Sequence, residues 1–174
     1  MTAFRSTVCA VVLAAALTAG AAAQTAPPDS AVADTSAGRT LAPAAAAARF
    51  LAEVAARPGV ERSRSGVLWT VERRGSGQRP LRSEAVEAEY VGRLADGTVF
   101  DQTRPRTPVR LPLRAVVPGL AEVLIGMRPG ERRTVYLPPA LAYGAAGVPG
   151  PGGVPRVPPH AALVFEVTVV RVVP

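Results

Sequence analysis

From Gly66 to the C-terminus, apolar residues recur mostly at every second position, a period that commits this part of the chain to strands. Val67, Trp69 and Val71 alternate with Leu68, Thr70 and Glu72, and Val86, Ala88 and Tyr90 alternate with Glu87 and Glu89. Residues 131–137 (ERRTVYL) read as a further strand. Residues 161–171 (AALVFEVTVVR) read as the clearest one, with Leu163, Phe165, Val167 and Val169 on one face. Asp96-Gly97, between RLA and TVF, signals a hairpin with a type I′ turn, which needs φ > 0 at both central residues. One stretch here has the helical period instead: Leu120, Val123, Leu124 and Met127, after Pro118-Gly119. The expectation is an α+β fold, an antiparallel sheet of about four to six strands with one short helix, sharing one core over 66–174.

The N-terminal part is organised differently. Residues 1–23 have Arg5 as their only charge, an apolar run from Val8 to Leu17, and Ala21 and Ala23 placed for a cut before Gln24. This is the layout of a secretory signal peptide. The run falls short of the roughly 20 apolar residues of a membrane span. Cleavage removes the single cysteine, Cys9, and places the remaining chain in the periplasm or outside the cell. Residues 24–43 are small, polar and interrupted by prolines, the composition of a flexible tether. Residues 44–57 are strong helix formers stopped by Pro58-Gly59, and a linker continues to residue 65. An isolated helix this short is marginal in water. Its apolar patch of Phe50, Leu51 and Val54 must therefore dock on the following domain or on a second chain.

Composition narrows the chemistry. With one Cys and one His in 174 residues, zinc fingers, CxxC redox centres and disulfide frameworks are excluded. A Ser-His-Asp hydrolase would depend on His160 alone. The chain has no lysine, and all 20 of its cations are arginines. The Gly-rich stretch 144–153 therefore lacks the lysine of a phosphate-binding loop. The arginines are scattered without stacking aromatics, which reads as a solvated basic surface and not as a nucleic-acid interface. No metal or cofactor is expected.

Four segments carry a more specific signal: EYVGRLADGTVFDQT (89–103), VVPGL (116–120), LAYGAAG (141–147) and VPPHAALVFEV (157–167). In this order and spacing they resemble the FKBP-type peptidyl-prolyl cis/trans isomerases. RFLAEVAARPGV and SGVLWTVERRGSG upstream resemble the entry to the catalytic domain of secreted, macrophage-infectivity-potentiator-like bacterial members. The resemblance implies an antiparallel half-barrel wrapped on one helix, and isomerisation of X-Pro bonds in exported proteins. That chemistry needs no nucleophile or metal. The barrier of roughly 18–20 kcal/mol is amide resonance, and a dry apolar pocket with donors suits the twisted bond. By the resemblance, Tyr90, Phe100, Val116, Val117 and Phe165 line the proline pocket, with Leu120 as its floor. Val117 offers its backbone N–H and Tyr143 its hydroxyl to substrate carbonyls. Asp101 sits at the edge, held by Arg106, and Val157 contributes to an upper lip. His160 is implied to be structural.

Read without the resemblance, Phe165 is a core residue, Tyr90 a core or surface strand residue, and Asp101 a turn or cap residue. The sequence also departs from the family. Leu120 stands where the family usually has a floor tryptophan, and Leu111 where an aromatic is common. The loop after Tyr143 is long and rich in Gly and Pro, with Val148 where some members have His. These changes imply weakened affinity for macrolide ligands and altered turnover. They keep open an alternative, a non-enzymatic chaperone or binding module. With a single short N-terminal helix, a monomer is favoured over a dimer.

Overall fold

A computed structural model describes residues 43–174. The signal peptide expected at 1–23 lies outside the described residues, as does the expected tether up to Ala42. Its last residue, Pro43, is instead the first residue of helix α1 (Pro43–Ala55). Proline suits a first helical position, because its N–H would have no partner there. The sheet is built from β1 (Glu61–Arg62), β2 (Leu68–Arg73), β3 (Ala85–Leu94), β4 (Val99–Gln102), β5 (Val109–Pro112), β6 (Arg132–Leu137) and β7 (Leu163–Val173). Helix α2 (Pro118–Gly126) lies between β5 and β6.

All strand pairings are antiparallel, in the order β1-β2-β6-β7-β3-β4, with β5 also pairing β3. The sheet has seven strands, more than expected, because short edge segments complete it. β1 has only two residues, and β4 and β5 take opposite halves of β3.

Directly paired residues share a face of an antiparallel sheet. The pairings Trp69↔Val135, Val135↔Phe165 and Phe165↔Gly92 therefore form one row on the side of α2. Leu163, Phe165, Val167 and Val169 are buried on that side, as the sequence led us to expect, and Leu120, Val123, Leu124 and Met127 of the α2 segment close over them. The pairing Leu68↔Tyr136 lies on the opposite side, where α1 docks. Ala47 and Val54 of α1 are buried there, and the Phe50 ring lies 6.2 Å from that of Tyr136. Of the apolar patch of the N-terminal helix, Val54 is buried on its own domain, while Phe50 and Leu51 are half-buried.

The hairpin differs from expectation. Gly97 N–H donates to the Leu94 carbonyl at 3.0 Å, so Ala95 and Asp96 are the central turn residues. Gly97 alone among the turn residues has positive φ, +90°. Asp96 accepts the Thr98 N–H at 2.9 Å through Oδ1. This is a turn followed by a glycine bulge, and it asks for left-handed backbone at one residue instead of two.

Helix α2 starts at Pro118, and Val117 before it is extended (φ −56°, ψ 143°), as a residue before proline prefers. At the other end Glu131 accepts the Arg128 N–H at 3.0 Å. Arg133 pairs with Glu131 at 2.6 Å and lies over the Trp69 ring. No helix among the described residues is long and apolar enough to cross a membrane.

Candidate functional site

The site forms where β3, β4 and β7 present their α2-facing side to the loop carrying Tyr143. A β-bulge creates it. Gly92 pairs with Asp101 and Arg93 with Val99, so Phe100 is an extra residue in β4. A bulge breaks strict alternation and re-aims side chains. Two successive residues, Phe100 and Asp101, consequently serve the same site. The Phe100 ring meets Phe165 edge-on at 5.6 Å and Tyr143 edge-on at 6.4 Å. Asp101 Oδ2 accepts the Tyr90 hydroxyl at 2.7 Å, and the Tyr90 ring lies 6.1 Å from Phe165.

Gly92 is the site residue that motif reading missed. A Cβ there would come within 2.8 Å of Phe100 Cζ and 3.0 Å of Phe165 Cε1, so the two rings occupy the space of its missing side chain. The signal was present, since a glycine inside a strand marks close approach by other groups.

Tyr143 is held by backbone bonds. After the helical turn Pro139–Leu141, Gly144 (φ +59°) donates its N–H to the Pro139 carbonyl at 2.9 Å. The Tyr143 carbonyl accepts the Gly147 N–H at 3.2 Å, and the Gly144 carbonyl accepts the His160 N–H at 2.8 Å. His160 itself has φ +58°. Its contribution is thus a backbone bond from an unusual conformation, which fits the structural role expected for it.

Val116, Val117 and Leu120 pack against the same cluster from the start of α2. Leu120 is 5% exposed and Phe165 4%, so both are almost fully buried beneath the aromatic cluster. The Val117 N–H donates to no acceptor among the described residues, whereas its carbonyl accepts the N–H groups of Leu120 and Ala121.

Two expected placements change. Val157 is 1% exposed and bonds through its backbone to Val148, so it backs the site from the core and forms no open lip. Arg106 does not hold Asp101: among the described residues it enters no ion pair, and the partner seen on Asp101 is Tyr90. The physical reason is local. Thr107 N–H closes a turn on the Arg104 carbonyl at 3.0 Å and fixes Arg106 at φ +56°. A left-handed non-glycine residue costs about 1–2 kcal/mol.

Burial, and then the bond to Asp101, push the Tyr90 hydroxyl well above the usual tyrosine range. Tyr90 therefore stays a proton donor to Asp101 at every physiological pH. The site thus combines aromatic walls, a carboxylate fixed by a phenol, and a backbone donor in a sheltered setting. No group of three or more His, Cys, Asp or Glu among the described residues could hold a metal ion. The arrangement can bind a small apolar ring and hydrogen-bond the carbonyls beside it.

A family model described as FKBP-type peptidyl-prolyl cis-trans isomerase matches residues 77–170. The chain is 40% identical over 124 residues to the peptidyl-prolyl cis-trans isomerase Mip of Coxiella burnetii, covering 71% of this chain and 52% of that protein. It is 36% identical over 135 residues to the FKBP-type 22 kDa peptidyl-prolyl cis-trans isomerase of Escherichia coli, covering 77% of this chain and 63% of that one. The chain thus spans between about half and two thirds of the length of these two relatives. Among solved structures, a peptidyl-prolyl cis-trans isomerase from Pseudomonas syringae superposes with a TM-score of 0.70 at 33% identity, over 80% of this chain and 100% of that one. FkpA from Escherichia coli superposes with a TM-score of 0.67 at 35% identity, over 75% of this chain and 59% of that one.

Proposed function

The chain belongs to the FKBP-type peptidyl-prolyl cis-trans isomerase family, and on that premise we propose that it isomerises X-Pro bonds in the cleft between Tyr90, Phe100, Tyr143 and Phe165. The observation that carries this reading is the bulge at Phe100, which brings an aromatic wall and a fixed carboxylate to one point. The proline ring enters against Phe100 and Phe165, above Leu120. The uncommitted Val117 N–H and the Tyr143 hydroxyl bind carbonyls of the substrate backbone. Asp101, oriented by Tyr90, faces the carbonyl of the rotating bond. A dry site disfavours the charge-separated, planar amide relative to the twisted one, which has lost its resonance. No covalent bond is made or broken, so no cofactor takes part.

We further propose that residues 1–23 are removed near Ala23/Gln24, that 24–42 tether the domain, and that the protein works in the periplasm or outside the cell on exported chains. Uncatalysed X-Pro isomerisation takes about 10–100 s and can limit folding. The docking of α1 on its own sheet, with Val54 buried and the Phe50 ring against Tyr136, favours a monomer.

The buried Leu120 floor supports a second reading, a binding module with little turnover. The two readings separate on Asp101→Ala and Tyr143→Phe. Loss of isomerisation with retained holding of unfolded clients supports the enzyme. Unchanged rates in both variants contradict it.

A further inference from the structure

Among the described residues five arginines enter ion pairs: Arg49 with Glu53, Arg93 with Glu166, Arg132 with Glu72 and Glu166, Arg133 with Glu131, and Arg171 with Glu87. None of these five lies on the loops around the cleft. Three loops frame it: the turn after Asp101, the segment leading into Val116 and Val117, and the 148–157 loop closed by the Val148–Val157 bridge. They carry Arg104, Arg106, Arg114 and Arg156, all exposed. None of the four enters an ion pair among the described residues. The one carboxylate in residues 101–121 is Asp101, which Tyr90 already engages, and residues 141–162 contain none.

Arg106 sits at φ +56° at the third position of a closed turn, a place where glycine would be unstrained.

We propose that these four arginines make the isomerase select X-Pro segments flanked by acidic residues. The proposal rests on the isomerase reading and specifies its substrate class. Rim charges act chiefly on encounter and orientation, so the preference appears in kcat/KM and is screened by salt. The proline ring itself is read by the apolar cleft, and the arginines read the residues on either side.

The test uses three peptides with the same X-Pro centre, flanked by Glu, Gln or Lys, and follows isomerisation by NMR exchange. At low salt the Glu peptide is expected to exceed the Gln peptide in kcat/KM by on the order of three- to tenfold, with the Lys peptide below both. At about 0.5 M salt the ratios approach one. In Arg104→Gln/Arg106→Gly/Arg114→Gln/Arg156→Gln the Glu-to-Gln ratio also falls toward one. Arg106→Gly suits the left-handed turn, and an unchanged Trp69 fluorescence melting curve shows that the variant is folded. Equal rates for all three peptides at low salt would overturn the inference and leave the isomerase reading standing. A preference that survives in the quadruple variant would overturn it too. No acceleration of any peptide would overturn the isomerase reading, and the inference with it.

Discussion

Gly92 has no room for a side chain beside the Phe100 and Phe165 rings. Gly92→Ala puts a methyl group where the Phe100 and Phe165 rings meet, and overpacking of this kind costs about 1–3 kcal/mol. Relief of the contact shifts the two rings of the site, so kcat/KM for an X-Pro peptide should fall more than thermal stability does; a variant with wild-type turnover would show that the rings do not define the pocket. Leu120→Trp tests the floor. A flat indole restores contact area under the proline, so turnover of X-Pro peptides and macrolide affinity should both rise, read by peptide kinetics and ligand titration. An unchanged rate would remove the floor from the account. Motif reading found Phe100, Asp101 and Tyr143 because each stands in a distinctive local string. It misplaced the Arg106 contact because the geometry of the four-residue turn Arg104–Thr107, not composition, decides where that guanidinium can go. It passed over Gly92 because a missing side chain gives a resemblance little to match.

The strands were legible where both period and burial are strong. β3 and β7 supply most of the core-facing alternation, and their inward residues stand out in the sequence. β1, β4 and β5 have two to four residues, too few for a period to be seen, and they exist because β2 and β3 offer them an edge. The hairpin turn was misread because Asp-Gly serves two geometries, and only the register of the flanking strands chooses between them. Helix α1 was found, but what covers it was not. Its docking predicts that Val54→Ala, at a fully buried position, destabilises the domain by about 2 kcal/mol in denaturant unfolding. A negligible effect would mean that α1 is dispensable. The β3–β7 pairing carries an exposed Glu87–Arg171 ion pair, whose bond to Arg171 holds the Glu87 carboxyl below the usual glutamate range. A depressed carboxylate stabilises the fold above its ordinary pKa and loses that contribution as pH falls through it. Stability should therefore decline slightly in acid, and Glu87→Gln should flatten that slope; an identical slope would assign the decline to other carboxylates.

At the scale of the whole molecule, one sheet holds two helices on opposite sides and gives each a different task. α1 closes one side of the sheet, and α2 with its preceding valines builds the cleft on the other. The arginines on the loops around the cleft enter no ion pair among the described residues, so the activity should depend on ionic strength more than the stability does. With α1 docked through Val54 and Phe50, sedimentation of the chain at micromolar concentration should give a monomer, and a tight dimer would contradict the monomer reading. The central claim is that the aromatic cleft turns over X-Pro bonds with the Tyr143 hydroxyl as a donor. The measurement is the isomerisation rate of a short X-Pro peptide with the purified protein and with Tyr143→Phe. The account predicts a clear acceleration, reduced about tenfold by the substitution, the worth of one hydrogen bond of roughly 1.4 kcal/mol. A folded protein that does not accelerate the reaction, or one whose rate is indifferent to the loss of that hydroxyl, would contradict it.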